Sequence, residues 1–391
     1  MNSFNYKDNL ILNPVENLPF LHLKNNNYQL EGLYITDKTR NDEEKQNASI
    51  LFSGRDSLIN EIHSIYDNWA KLLHANVLSM RLLSGLHAHI VTFMSIGEIG
   101  DSVLLLPTKA GGHYATASIL KRLGYKVIDM AIDFGNYCVD HEETLSIIEK
   151  NNPKFIFVDR SEGINYEDFS DIAMSSSACT IFDASQYLTN IMVSSFKSPF
   201  DMGFDIILST LHKNFPGPQK ALICAKDNEN PYWDKIINGM STFVSNLHAE
   251  NIFKAGDAIK NMPFLQHYAE LSIQNSILLE KYLAENDISI IPKKVDTPAT
   301  HHIWIPLKSK EAAYAIHKKL ESYHILVNYR LLPYDIGYGL RLGTTAATMQ
   351  GLKPEQTQFL AQIISRILKN DNKISTEYVR DFIKSLTPLE E

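Results

Sequence analysis

The run Asp205 to Lys220, DIILSTLHKNFPGPQK, carries an apolar β-like stretch through Ser209, Thr210 and His212 and delivers Lys213 just beyond the strand end. Pro216, Gly217 and Pro218 follow, and prolines continue neither a helix nor an inner strand. A lysine in that position can form an imine with an aldehyde once its ammonium loses a proton. Burial depresses a lysine pKa enough for that. A surface lysine in a strand-to-turn connection is the plain alternative, because most lysines are exposed. The residues upstream favour chemistry.

Ser84-Gly85-Leu86-His87 stands between a strand-like and a helical run. Small residues at a helix start expose backbone N–H groups, and the helix dipole favours an anion such as phosphate there. A serine N-cap with a turn glycine explains the same residues equally well. Gly111-Gly112-His113 opens the next helical run; two glycines let backbone pass close to a ligand, and His113 could lay its ring on a flat cofactor. Asp183 ends the apolar run Thr180-Ile181-Phe182, at the strand edge where parallel sheets bind ligands. It could pair with a protonated ring nitrogen, and Gln186 could donate to a phenolate oxygen. The alternative for Asp183 is an N-cap. Anion turn, ring-stacking histidine, strand-end carboxylate and strand-end lysine, in that order, are what pyridoxal 5'-phosphate requires. Arg341, on a strand before Gly343, suits the bidentate grip of an amino-acid carboxylate.

The elements that must position these residues are legible in the pattern. Strand-like runs near 77–83, 102–106, 125–130, 154–158, 178–182, 205–209 and 220–225 alternate with helical runs near 85–97, 112–123, 140–151 and 165–176. Such alternation implies crossovers and a mainly parallel seven-stranded sheet, an α/β fold. An amphipathic helix opens at Asp56. Beyond Pro263 come a long helix to about Asn286, strand-like runs near 288–292, 301–306, 324–328 and 338–342, a helix near 309–322 and a helical end over 354–386, a smaller α+β unit. We therefore expect an arm over 1–50, a large cofactor-binding domain over 51–262 and a small C-terminal domain over 263–391. In the arm, Pro14 and Pro19 bound the apolar island around Glu16; with no periodic face of its own, it is expected to pack on a partner subunit. Lys38 to Asn47 reads as an exposed loop.

Composition sets the remaining bounds. The chain has 391 residues, 44% hydrophobic and 21% charged, ordinary for a globular enzyme. A net charge of −8 excludes a general nucleic-acid footprint. Cys138, Cys179 and Cys224 fit no metal-ligand spacing and suit a reducing compartment. No basic-then-apolar leader opens the chain and no run is long enough to span a membrane, so it reads as cytoplasmic.

With these residues in view, the chain resembles the serine hydroxymethyltransferase branch of the fold-type I (aspartate aminotransferase-like) pyridoxal-phosphate enzymes. Thr210-Leu211-His212-Lys213 followed by Gly217-Pro218 is similar to that family's T-T-H-K and G-P-R elements. Ser84-Gly85 matches its S-G-S loop, Gly100-Asp101 its G-D, and Gly111-Gly112-His113 its G-G-H. Asp183 matches the first residue of D-M-A-H, with Gln186 in place of the histidine. GLRLGTTAATMQG from Gly339 resembles G-I-R-x-G-T-P-A-x-T-x-R-G, and LILNPVEN resembles L-I-A-S-E-N, which puts Glu16 on the family's acid/base glutamate. The resemblance implies cofactor contacts from Ser84, Gly85, His113, Asp183, Gln186, Thr210, His212 and Lys213, catalytic roles for Lys213, Glu16 and His113, and substrate contacts from Arg341 and Glu16. It also implies a homodimer with shared active sites, acting on an amino acid and an aldehyde. The arm departs from E-G-Y-P-G-K-R-Y-Y-G-G after Gly32, and Val244-Ser245-Asn246-Leu247 stands where a glycine-rich element is expected. These departures point away from folate use and toward an aldolase or transaldolase that breaks or makes the Cα–Cβ bond of a β-hydroxy amino acid. A folate-dependent hydroxymethyltransferase, a class V-like aminotransferase or desulfurase suggested by Asp183-Ala184-Ser185-Gln186, and a non-enzymatic relative are the alternatives.

Overall fold

The structure, a computed structural model, describes residues 8–20, 28–30, 32–371 and 374–389. Seven strands form the main sheet in the order Val77–Ser79, Ala221–Ala225, Ile206–Thr210, Cys179–Asp183, Phe155–Val158, Ser102–Leu105, Lys126–Asp129. The last five pair in parallel, and Ala221–Ala225 runs antiparallel to both its neighbours. Each falls within a residue or two of an expected run, except that the first stops at Ser79.

The central strands are buried at every position, which is why they read as continuous apolar runs rather than alternating ones. Their side chains still alternate between two cores. Phe155 and Phe157 join a cluster with Phe93, Ile181, Leu208 and Met240, beneath the helices Gly85–Ile96 and Trp233–Phe243. Ile156 and Val158 join the opposite cluster with Trp69, Phe182 and Ile207. This two-residue period puts helices on both faces. The C-terminal ends of the parallel strands then open along one edge, where Asp159, Asp183 and Lys213 follow or close their strands.

C-terminal to the helix Met262–Glu285, an antiparallel sheet runs in the order His302–Pro306, Gly337–Gly343, Asn328–Leu332. Leu279, Ile303, Leu340, Leu342, Leu360 and Ile364 give it a core of its own. We propose the division between domains at the start of this helix.

Several local expectations change. The run near 288–292 is only a bridge between Ile291 and Trp304. The helix expected over 165–176 shrinks to Ser170–Ala173, in a serine-rich segment whose side chains hydrogen-bond the local backbone instead. Within the expected loop, Asp42–Gln46 is helical, closed by a capping box between Asn41 and Glu44. The C-terminal helical stretch breaks at Asn370, in the left-handed region, into Pro354–Leu368 and Thr376–Ser385.

The start of the arm is anchored within its own chain. Leu10–Ile11 pairs in parallel with Ile325–Leu326, and Leu10 and Leu12 are fully buried in the C-terminal core of their own chain. Ile11 N–H donates to Gln350 Oε1 (2.8 Å) and Gly343 N–H to the Leu12 carbonyl (2.8 Å). Leu10 to Leu12 therefore take cover from their own subunit, because Ile325–Leu326 offers a backbone edge to pair with, while Val15 to Pro19 around Glu16 stay partly exposed. Farther on, Phe20 packs edge-on against Phe264 and Phe215. Among the described residues no helix is long and apolar enough to cross a membrane.

Candidate active site

Lys213 emerges three residues beyond the strand Ile206–Thr210. The turn after it closes through Gly217 N–H to the Leu211 carbonyl (2.8 Å), where an added Cβ would lie 2.8 Å from that same oxygen. Burial lowers the Lys213 pKa, with Asp183 opposing and Arg341 assisting that shift. The amine is thereby brought toward its neutral, nucleophilic form. Beside it, Thr210 Oγ1 and His212 Nδ1 are buried without hydrogen-bond partners.

Asp183 lies at the end of the neighbouring strand. Burial alone would raise its pKa, but the hydrogen bond and charge of His89, helped by Lys213, bring it down to about 2. His89 Nε2 is 2.8 Å from Asp183 Oδ2, and the Ser185 N–H donates to Oδ1 (2.8 Å). His113 stands edge-on to His89, ring centroids 5.7 Å apart, and burial lowers its pKa to about 4. It is thus a neutral, flat ring at physiological pH, suited to stacking. Gly111 and Gly112 place it there: a Cβ on either would come within 2.1 Å of a backbone carbonyl, that of Glu162 or of Leu106.

Ser84 caps the helix Gly85–Ile96 by accepting from the His87 N–H (3.3 Å). The capping role is realised, and the hydroxyl proton is left to donate. Gly85 touches the lysine segment so closely that a Cβ would lie 2.8 Å from Thr210 Cγ2. The anion turn and the lysine strand therefore meet.

Gln186 Oε1 faces two imidazoles, His301 Nε2 at 3.1 Å and His302 Nε2 at 3.3 Å. Gly163 N–H donates to His302 Nδ1 (3.3 Å), so the His302 proton is on Nε2 and the Gln186 oxygen must accept it. This fixes the amide with its Nε2 buried and unpartnered, ready to donate. Arg341, on the middle strand of the C-terminal sheet, is buried; it donates to the Ser161 carbonyl (3.3 Å) and lies 3.8 Å from Glu162, and its Nε has no partner. Burial lowers its pKa to about 10, so it remains charged. Arg330 also pairs with Glu162. Glu16 accepts from Asn13 Nδ2 (3.0 Å), and the next residue, Asn17, donates to the Lys213 carbonyl (2.7 Å).

Lys213 thus senses the charges of both Asp183 and Arg341, with His113 beside Asp183, Thr210 and His212 beside the lysine, and Ser84-Gly85 at the lysine strand. Gln186 approaches through the histidines of the C-terminal sheet, and the arm brings Glu16 next to a residue that touches the lysine backbone. Five residues were not singled out from the sequence: His89, Asp159, Glu162, Arg330 and Lys220. Asp159 carries the signal used for Asp183, an acid directly after an apolar strand. His89 is polar in an otherwise apolar helix. The Lys220 amine is pushed down to about 7 by burial and donates to the Leu247 carbonyl (2.5 Å), tying down the Val244–Leu247 segment.

The polar groups left free here suit pyridoxal phosphate on observations independent of any likeness. Buried donors and acceptors on Thr210, His212, Gln186 and Arg341 lack partners. An amine is desolvated at the strand end, and a glycine is needed where the anion turn meets it. Comparisons with known proteins agree. A serine hydroxymethyltransferase from Pyrobaculum calidifontis is 26% identical over 324 residues, 80% of this chain and 75% of that one. One from Staphylothermus marinus is 28% identical over 331 residues, 81% and 75% of the two chains. The crystal structure of an L-threonine transaldolase from Pseudomonas fluorescens superposes with a TM-score of 0.86 at 21% identity, covering 98% of this chain and 88% of that one, and so shares the fold. The protein is a fold-type I enzyme whose cofactor is pyridoxal 5'-phosphate and whose chemistry is of the aldol type. The serine hydroxymethyltransferase family profile matches residues 54–364, most of the chain, and by that match together with the lysine, carboxylate and arginine gathered at the sheet edge this chain belongs to the serine hydroxymethyltransferase family.

Proposed function

We propose that the enzyme cleaves or exchanges the side chain of a β-hydroxy amino acid at Cα–Cβ, without tetrahydrofolate, passing the amino-acid fragment to a second aldehyde. The observation that carries this reading is the strap from the arm to the lysine. Asn17 donates to the Lys213 carbonyl and so brings the arm that carries Glu16, a residue keto-acid exchange has no need of, to the lysine segment. When bound, the cofactor supplies an electron sink for the charge that develops at Cα.

The protein's own residues do the rest. Lys213 would hold the cofactor's aldehyde carbon, with His212 and Thr210 beside it. Ser84 and the backbone N–H groups from Gly85 onward would hold its phosphate, and His113 would cover its ring. Asp183 would keep the ring nitrogen protonated, and the Gln186 amide would donate to the phenolic oxygen. Arg341 would fix the substrate carboxylate and so decide which Cα bond is aligned for cleavage. Glu16 would take the β-hydroxyl proton during cleavage and return one to the aldehyde oxygen during addition. The substrates are small molecules, an amino acid and an aldehyde, and we propose a homodimer in the cytoplasm as the working form.

The test is incubation with L-threonine and a second aldehyde, with and without tetrahydrofolate, followed by identification of products. Acetaldehyde release and a new β-hydroxy amino acid, both independent of folate, are expected. Glycine formed from serine only when folate is present would overturn the reading. The hydroxymethyltransferase relatives make that folate-dependent activity the second reading.

A further inference from the structure

We infer that His89, with Thr116 and Asp159, forms a buried relay that holds the Asp183 carboxylate ionised and aimed, and so sets the protonation of the cofactor's ring nitrogen. This rests on the reading of Asp183 as that nitrogen's partner. His89 is 2% exposed and Thr116 fully buried. His89 Nε2 lies 2.8 Å from Asp183 Oδ2, and Nδ1 lies 3.2 Å from Thr116 Oγ1. An ionised carboxylate only accepts, so His89 Nε2 carries a proton. Phe157 packs edge-on against the imidazole, ring centroids 5.0 Å apart, and fixes its plane.

Asp159 makes the arrangement more than a single hydrogen bond. It follows the strand Phe155–Val158 as Asp183 closes Cys179–Asp183, and Val158 pairs with Phe182, so the two acids stand side by side on neighbouring strands. Asp159 faces the Thr116 hydroxyl and the His113 backbone, yet neither carboxyl oxygen has a hydrogen bond of good geometry. His89, His113 and Asp159 each bring one polar side-chain atom within 4.8 Å of the others. Two carboxylates so close do not both ionise in a dry site. Burial drives the Asp159 pKa well up, and the charge on Asp183 adds to the shift. The proton therefore resides on Asp159 and the negative charge on Asp183, where His89 and the Ser185 N–H stabilise it. The titratable groups facing His89 come from four separate segments: His113, Asp159, Asp183 and, across Asp183, Lys213. A ring nitrogen facing an ionised Asp183 stays protonated and withdraws electrons strongly. One facing a neutral or rotated carboxyl would not. His89 is a positioning residue, acting through Asp183.

The experiment loads the apoprotein with cofactor labelled with ¹⁵N in the ring and follows the ¹⁵N shift against pH, alongside cofactor affinity by absorbance titration. The unaltered protein should show a protonated ring nitrogen across neutral and mildly alkaline pH. His89→Ala should move the signal toward the neutral ring as pH rises and weaken cofactor binding about 10–100-fold. His89→Asn, which can still donate to Asp183, should restore most of both. Asp159→Asn, uncharged like the protonated acid, should leave the ring protonated. Where His89→Ala does not fold, Thr116→Val removes the far anchor and should shift the signal in the same direction. An unchanged ¹⁵N shift in His89→Ala or Thr116→Val, with cofactor bound, overturns the relay. An unchanged shift in Asp183→Asn overturns the underlying reading of Asp183 as well, which separates the two failures.

Discussion

Arg341→Ala tests the site where binding and chemistry divide. Arg341 is buried against Glu162 and Ser161, with its Nε unpartnered. A substrate carboxylate would complete the fork. Truncating one side of a buried, charge-assisted pair costs about 2–5 kcal/mol, equivalent to about 30- to 5,000-fold in affinity. The lower part of that range is expected, because Arg330 also pairs with Glu162 and leaves some positive charge in place. The same arginine should limit the damage to the fold. Breaking a buried pair outright costs about 3–5 kcal/mol, whereas here Glu162 keeps one partner. The assay is an absorbance titration of the bound cofactor with glycine, giving an amino-acid Kd for the parent, Arg341→Ala and Arg341→Lys. Arg341→Lys restores charge but not the planar fork, and should recover only part of the loss. Arg330→Ala, at the partly exposed end of the cluster, should weaken binding less than Arg341→Ala does. A glycine Kd within a factor of about three of the parent in Arg341→Ala, with cofactor retained, would refute the assignment of the carboxylate site.

Borohydride should bleach the bound cofactor and leave a reduced adduct on Lys213 by mass spectrometry, and Lys213→Ala should retain no such adduct; an adduct on Lys220, the other desolvated lysine near the anion turn, would reassign the site. Glu16→Gln should still bind glycine with an unaltered Kd while turnover of a β-hydroxy amino acid falls about 10²–10⁴-fold; normal turnover would make the arm's contact with Lys213 purely structural. Burial lowers the pKa of His113 and His212 to about 4 and of His301 to about 3, with His302 also far below its ordinary value. The fold keeps all four neutral, so their contribution to stability is present above about pH 6.5, where unfolded histidines titrate. It is lost as pH falls from there toward the folded values, by up to about 1.4 kcal/mol per histidine per pH unit. Calorimetric melts should show proton uptake on unfolding that grows between about pH 6.5 and 5; melts independent of pH over that interval would contradict the buried neutral state.

The sheet and the lysine were legible for a shared reason. Strands covered on both faces read as unbroken apolar runs, and a polar residue closing such a run announces the ligand edge. Asp183 and Lys213 were found that way, and Asp159 offered the same signal. His89 was not read, since one histidine in an apolar helix has no meaning until the sheet brings Asp183 to it from 94 residues away. The clamp on Gln186 was equally hidden, because His301 and His302 reach it from the C-terminal sheet. The arm was legible only in part. An apolar island without periodicity says that cover exists but not which chain provides it, and its partner strand is only two residues long.

That pairing has a consequence for synthesis. Ile11 meets Gln350 across 339 residues, and Leu10 meets Ile325 only slightly earlier in the chain. At about 5–20 residues per second, the ribosome needs roughly 17–70 s after making the arm to produce its dock. Throughout that interval Leu10, Ile11 and Leu12 lack the strand they pair with, even if the main sheet between residues 77 and 225 has already assembled. The strap is thus made long before the strand that covers its leucines. Asn17 contacts Lys213 and Tyr268, both made earlier, but a nascent chain stalled before Ile325 would lack both the edge that covers the leucines behind it and Arg341.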